Sequence, residues 1–157
     1  MSVMSGSADN ARDVFSWELP QVAVGYSDEV AGKGPMQNRI ARLVSRALRD
    51  ARDERGMARA DIARRMTDEL GRKVSEDILD KWSSEASEAH RIPLDAFIAL
   101  VAVTGASELL GFVPGLMGFV VVPKRYKAFI ELQLLEDHER DLAAHKARIQ
   151  AELRGSR

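Results

Sequence analysis

The chain has 157 residues, of which 45% are apolar and 30% charged, and a formal net charge of −1. That length suits one domain with appendages, and the near balance of charge leaves only a local patch, not the whole surface, to serve a polyanion. There is no cysteine, which excludes disulfides, thiolate zinc sites and cysteine nucleophiles.

Residues 1 to about 12 are small and polar and read as an unstructured start. No basic stretch followed by an apolar run opens the chain, so a cytoplasmic protein is expected. Phe15, Trp17 and Leu19 alternate with Ser16 and Glu18, and Val22 and Val24 follow Pro20. Period two predicts a short strand, held at an edge by Pro20. It serves either as an arm laid on the domain's own core or as a docking segment for a protein partner. Gly32-Lys33-Gly34-Pro35 closes this arm, giving a first region of residues 1–35.

The first long helix is predicted from Met36 to Arg55. Ile40, Leu43, Val44, Ala47, Leu48 and Ala51 recur at steps of three and four and draw one buried stripe. Arg39, Arg42, Arg46 and Arg49 form a second row, with Asp50, Asp53 and Glu54 within reach, so it reads as a phosphate-facing row or a solvated face. The next helix spans about Arg59 to Leu70, with Ile62, Ala63, Met66 and Leu70 inward. A turn, Gly71-Arg72-Lys73-Val74, leads to a third helix. Ser75 is its N-cap, Glu76 and Asp77 sit at its positive end, and Ile78, Leu79 and Trp82 form its buried side. After a polar stretch from Ser83 to Arg91, Pro93 starts a fourth helix. Leu94, Phe97, Ile98, Leu100 and Val101 make it the expected central packing element, and Gly105 ends it.

The run Gly118-Phe119-Val120-Val121-Val122 reads as a short strand, which must pair with the Phe15 arm, a hairpin mate or its counterpart in a second copy. From Lys124 to about Leu153 the pattern is helical, roughly 45 Å at 1.5 Å per residue. Leu135, Leu142 and Ile149 recur every seven residues, while the companion row taken with them holds His138 and His145. A helix of that length packs on the domain or on a partner helix. Val120, Val122, Leu135, Leu142 and Ile149 are therefore the candidate dimerisation residues.

Two short amphipathic helices around a tight turn, followed by a packing helix, make a helix-turn-helix pattern. The chain resembles the Xre/Cro-type family of lambda-repressor-like DNA-binding domains. The resemblance covers about residues 40 to 110 and is carried by Gly56, Ile62-Ala63, Val74-Ser75, Trp82, Pro93 and Gly105. In its order of parts the chain is also similar to small proteins of transposable, Mu-like prophages: Gly-Arg-Lys-Val-Ser, then Asp-Lys-Trp, a Ser/Glu/Ala-rich stretch before Ile-Pro, a strand and a charged helix. Two departures stand out. The second helix is longer than the family's by about a turn, through Thr67-Asp68-Glu69-Leu70, and the third carries Glu76, Asp77 and Asp80, with Lys81 as its single cation.

The expected fold is mainly α: a lambda-repressor-like core of four to five helices with a short β element and a long C-terminal helix. The helix-turn-helix region covers 36–112, and residues 113–157 add the strand and dimerisation helix. The resemblance implies a homodimeric regulator of mobile-element type that binds duplex DNA at half-sites near one helical turn apart. Its candidate contacts are Arg59, Arg64, Arg72, Lys73, Ser75, Glu76, Asp77 and Lys81. Arg72 and Lys73 serve as phosphate contacts, and Glu76 and Asp77 are weak acceptors for base edges. The alternative is a protein-interaction module on the same scaffold, with the acidic third helix docking a basic partner.

No Walker loop, nucleophile elbow or dinucleotide fingerprint is present, so neither an enzyme nor a cofactor is expected. No metal site is expected either, since His138 and His145 lie two turns apart. The longest apolar stretch, Leu109 to Val122, is interrupted by Gly111, Pro114, Gly115 and Gly118. It is also shorter than the roughly 20 residues of a membrane helix.

Overall fold

The computed structural model describes residues 22–155. They are mainly helical: α1 (Asp28–Ala31), α2 (Met36–Arg55), α3 (Arg59–Leu70), α4 (Glu76–Trp82), α5 (Leu94–Thr104), α6 (Phe112–Leu116) and α7 (Lys127–Gly155). Short 3-10 turns at Ser107–Gly111 and Lys124–Tyr126 precede α6 and α7. No helix among the described residues is long and apolar enough to cross a membrane. The predicted Phe15–Leu19 strand lies outside the described residues.

The core is one cluster. Helix α2 contributes Ala41, Leu43, Val44, Ala47, Leu48 and Ala51, α3 contributes Ile62, Ala63 and Met66, and α4 contributes Leu79 and Trp82. Leu109 closes the far side from the 3-10 turn. Burying each large side chain contributes about 1.5–3 kcal/mol, so these few residues dominate the stability.

Helix α5 packs most extensively on α3, but not through the face the composition favours. Its buried residues are Ala96, Ala99, Leu100 and Thr104, whereas Leu94 is 74% exposed and Ile98 60%. The helix is apolar nearly all round, and only one face is needed. Ala96 and Ala99 win that face because small side chains let the α3 backbone approach closely.

The boundary expected at residue 35 falls inside packed structure. Ala31 is buried in the core. Its carbonyl accepts from Arg42 Nε at 2.7 Å, and the Tyr26 hydroxyl donates to Asp50 Oδ2 at 3.1 Å. The expected strand at Gly118–Val122 reduces to one antiparallel bridge, Val24 to Val121, with Val24 N–H donating to the Val121 carbonyl at 2.7 Å. The Gly118 turn and Pro123 bracket the run too closely for a ladder, and Phe119 and Val120 remain 68% and 75% exposed. Helix α7 is about 43 Å long, buries no residue and has the 3-10 turn before it as its principal neighbour.

Candidate nucleic-acid interface

The corner between α3 and α4 is built by three local devices. Gly71 ends α3 with φ 65°, a left-handed conformation that only glycine adopts cheaply. Thr67, one turn before it, holds the turn closed: its hydroxyl accepts from the Val74 N–H at 2.9 Å and lies 2.9 Å from the Ala63 carbonyl, to which it donates. Val74 is thereby anchored in the core at 4% exposure. Ser75 then caps α4, its Oγ accepting from the Ile78 N–H at 3.3 Å. The cap occupies a lone pair of Oγ, and the hydroxyl proton takes no part in it.

Charge at this corner is balanced. From Arg59 to Lys81 there are six cationic and six acidic side chains. Four of the six cations are ion-paired. Arg59 Nη1 lies 2.9 Å from Asp80 Oδ1, a contact that ties the start of α3 to α4 but misses hydrogen-bond geometry. Arg64 pairs with Asp61 at 3.2 Å, Lys81 with Asp77 at 2.7 Å, and Arg72 with Asp95 of α5 at 2.9 Å. The Arg72 guanidinium, with the Ala96 N–H second, holds the Asp95 carboxyl below the usual carboxylate range. Arg65 and Lys73 are exposed and make no ion pair among the described residues. Arg65 lies on α3 and Lys73 within the turn, and Glu76, Asp77 and Asp80 are exposed on α4.

The other candidates fall elsewhere. Three arginines of the α2 row are engaged by the fold, while Arg49 is exposed: Arg39 stacks over the Phe112 ring at 5.1 Å and Arg46 pairs with Asp50 at 2.7 Å. Arg42 bridges the Ala31 and Lys33 carbonyls and Glu85. Val120, Leu135, Leu142 and Ile149 are exposed, Val122 is half-buried, and they do not form one local cluster, since the valines lie at the bridge and the others along α7. Sequence reasoning missed Thr67, Asp95 and the unpaired state of Arg65. A threonine four residues before a helix-ending glycine was the available signal for the first; the other two depend on tertiary neighbours.

No group of three or more metal-ligating side chains occurs among the described residues. Comparison of the chain with protein-family models, curated proteins and solved structures yields no match.

Proposed function

We propose that this protein is a DNA-binding regulator of the phage or mobile-element type, acting as a homodimer, with α3 and α4 as its helix-turn-helix. The observation that carries this reading is the braced α3–Gly71–α4 corner, with α4 capped by Ser75 and with Arg65 and Lys73 exposed and making no ion pair among the described residues. The ion pairs of Arg64, Arg72 and Lys81 are exposed, and exposed pairs are worth only about 0–1 kcal/mol. A phosphate can therefore draw these side chains away from their acids at little cost.

Titration against random duplex DNA at low and moderate salt tests this. If Arg65 and Lys73 of each protomer alone meet phosphates, a dimer makes four contacts and log K falls with log salt at a slope of roughly −3.6. Recruitment of the paired cations steepens it. Arg65→Ala with Lys73→Ala flattens it. Absence of duplex binding at low salt overturns the reading.

The balance of six cations against six acids favours a second reading, a protein-interaction module in which Glu76, Asp77 and Asp80 of α4 receive a basic partner surface. A protein of that kind shows no salt-dependent duplex binding in the same titration.

A further inference from the structure

Helix α7 carries a seam that differs from the one its leucine repeat first implies. Leu135, Leu142 and Ile149 are flanked three residues earlier by Leu132, Glu139 and Lys146, not by the histidine row. On an α-helix these two rows lie on one face. Leu132, Leu135, Leu142 and Ile149 are 55%, 61%, 54% and 43% exposed. Among the described residues Glu139 and Lys146 make no ion pair, although Lys127–Glu131 and Arg140–Asp137 do elsewhere on the same helix. On this 29-residue helix the face from Leu132 to Ile149 is exposed and apolar, with one anion and one cation set into it.

The two halves of α7 are also oppositely charged. Lys127 to Asp141 holds five acids and two cations; Leu142 to Gly155 holds three cations and one acid. This order complements the helix dipole. It also complements a second copy running the other way.

We infer that α7 pairs antiparallel with the α7 of a second copy of this chain. In an antiparallel two-stranded coil each layer joins a residue of one row to a residue of the other row on the facing helix. Full overlap sets Leu132 against Ile149 of the partner subunit, and Glu139 against Leu142 of the partner subunit. Glu139 then lies one layer from Lys146 of the partner subunit, within reach of a cross-helix ion pair, and the two-fold axis repeats the pair. A parallel coil instead stacks Glu139 on Glu139 of the partner subunit and Lys146 on Lys146 of the partner subunit, two like-charge layers in an apolar seam. Charged residues in a seam specify orientation in this way.

This deepens the dimeric part of the proposed function and stands independently of DNA. It places the two cores at opposite ends of the coil, about 40 Å apart, so half-sites separated by more than one turn replace the single-turn spacing expected from the sequence.

The full chain has no cysteine, so introduced thiols report geometry directly. Under mild oxidation, Leu132→Cys mixed with Ile149→Cys forms a disulfide-linked dimer, while each variant alone does not. Glu139→Lys and Lys146→Glu each weaken dimerisation in sedimentation by roughly tenfold or more, and the double swap restores it. Cross-linking of Leu132→Cys with itself shows a parallel coil and overturns the inference, as does a wild-type chain that stays monomeric. Dimerisation without duplex binding leaves the coil standing and removes the DNA reading alone.

Discussion

Arg72 in the turn after α3 and Asp95 in the first turn of α5 meet at 2.9 Å, joining the corner proposed to face DNA to the helix that packs most extensively behind α3. The pair serves two ends in opposition: it holds the turn against the core, and it withholds a guanidinium from phosphate. Asp95→Asn releases that guanidinium. The expected outcome is tighter duplex binding at low salt, with a log–log salt slope steeper by about one for each Arg72 recruited. Arg72→Ala moves the slope the other way if wild-type Arg72 swings to phosphate, and leaves it unchanged if Asp95 retains it.

The same pair sets an acid-side dependence. Arg72 depresses the Asp95 pKa in the folded state, so its stabilisation is present above the unfolded value of about 3.9 and is lost as pH falls through the folded value. Asp95→Asn therefore melts below wild type at neutral pH. The difference narrows once pH drops beneath the ordinary carboxylate range. Thermal melts of both proteins across that window check it, and a difference that stays constant into strong acid contradicts it.

Thr67 is the structural keystone of the corner, because its hydroxyl is the acceptor for the Val74 N–H. Thr67→Val keeps the branched shape and removes the acceptor, leaving a donor beside a 4% exposed residue unpaired at a cost of about 1–3 kcal/mol. Thr67→Ser retains the hydroxyl and loses less. Denaturant midpoints in the order wild type, Thr67→Ser, Thr67→Val, with unchanged m-values, are the expected result.

The helices were legible where period and punctuation agree. The bounds of α2 and α3 coincide with the apolar repeat and with Gly56 and Gly71. Legibility failed where one signal served several outcomes. Helix α5 is apolar all round, so the choice of Ala96 and Ala99 over Leu94 and Ile98 depends on how closely α3 approaches. The valine run before Pro123 has strand chemistry but only one bridging partner, Val24. At the candidate interface, Lys81 and Arg64 find their acids within one helical turn, whereas Asp80 and Asp95 reach Arg59 and Arg72 only through the fold. Local sequence therefore identified the cations but not which of them take part in ion pairs.

Gly111 tests how the extended segment before α1 is held. A methyl group there would stand 2.5 Å from the Gly25 Cα and run into the Val24 carbonyl. Both are backbone and neither can rotate aside. Gly111→Ala forces the segment away, at a cost of about 1–3 kcal/mol for overpacking, and breaks the Val24–Val121 bridge with it. Tyr26 on that segment supplies an independent readout. Burial, then the Asp50 carboxylate, raises its pKa above the ordinary tyrosine value, so its contribution to stability is intact below about pH 10 and is lost as pH rises through the folded value. In Gly111→Ala the Tyr26 phenol ionises closer to the ordinary tyrosine value than in wild type, and alkaline absorbance titration of the two folded proteins reads the difference. Retention of the raised value in the variant would mean that the core yields and the segment does not.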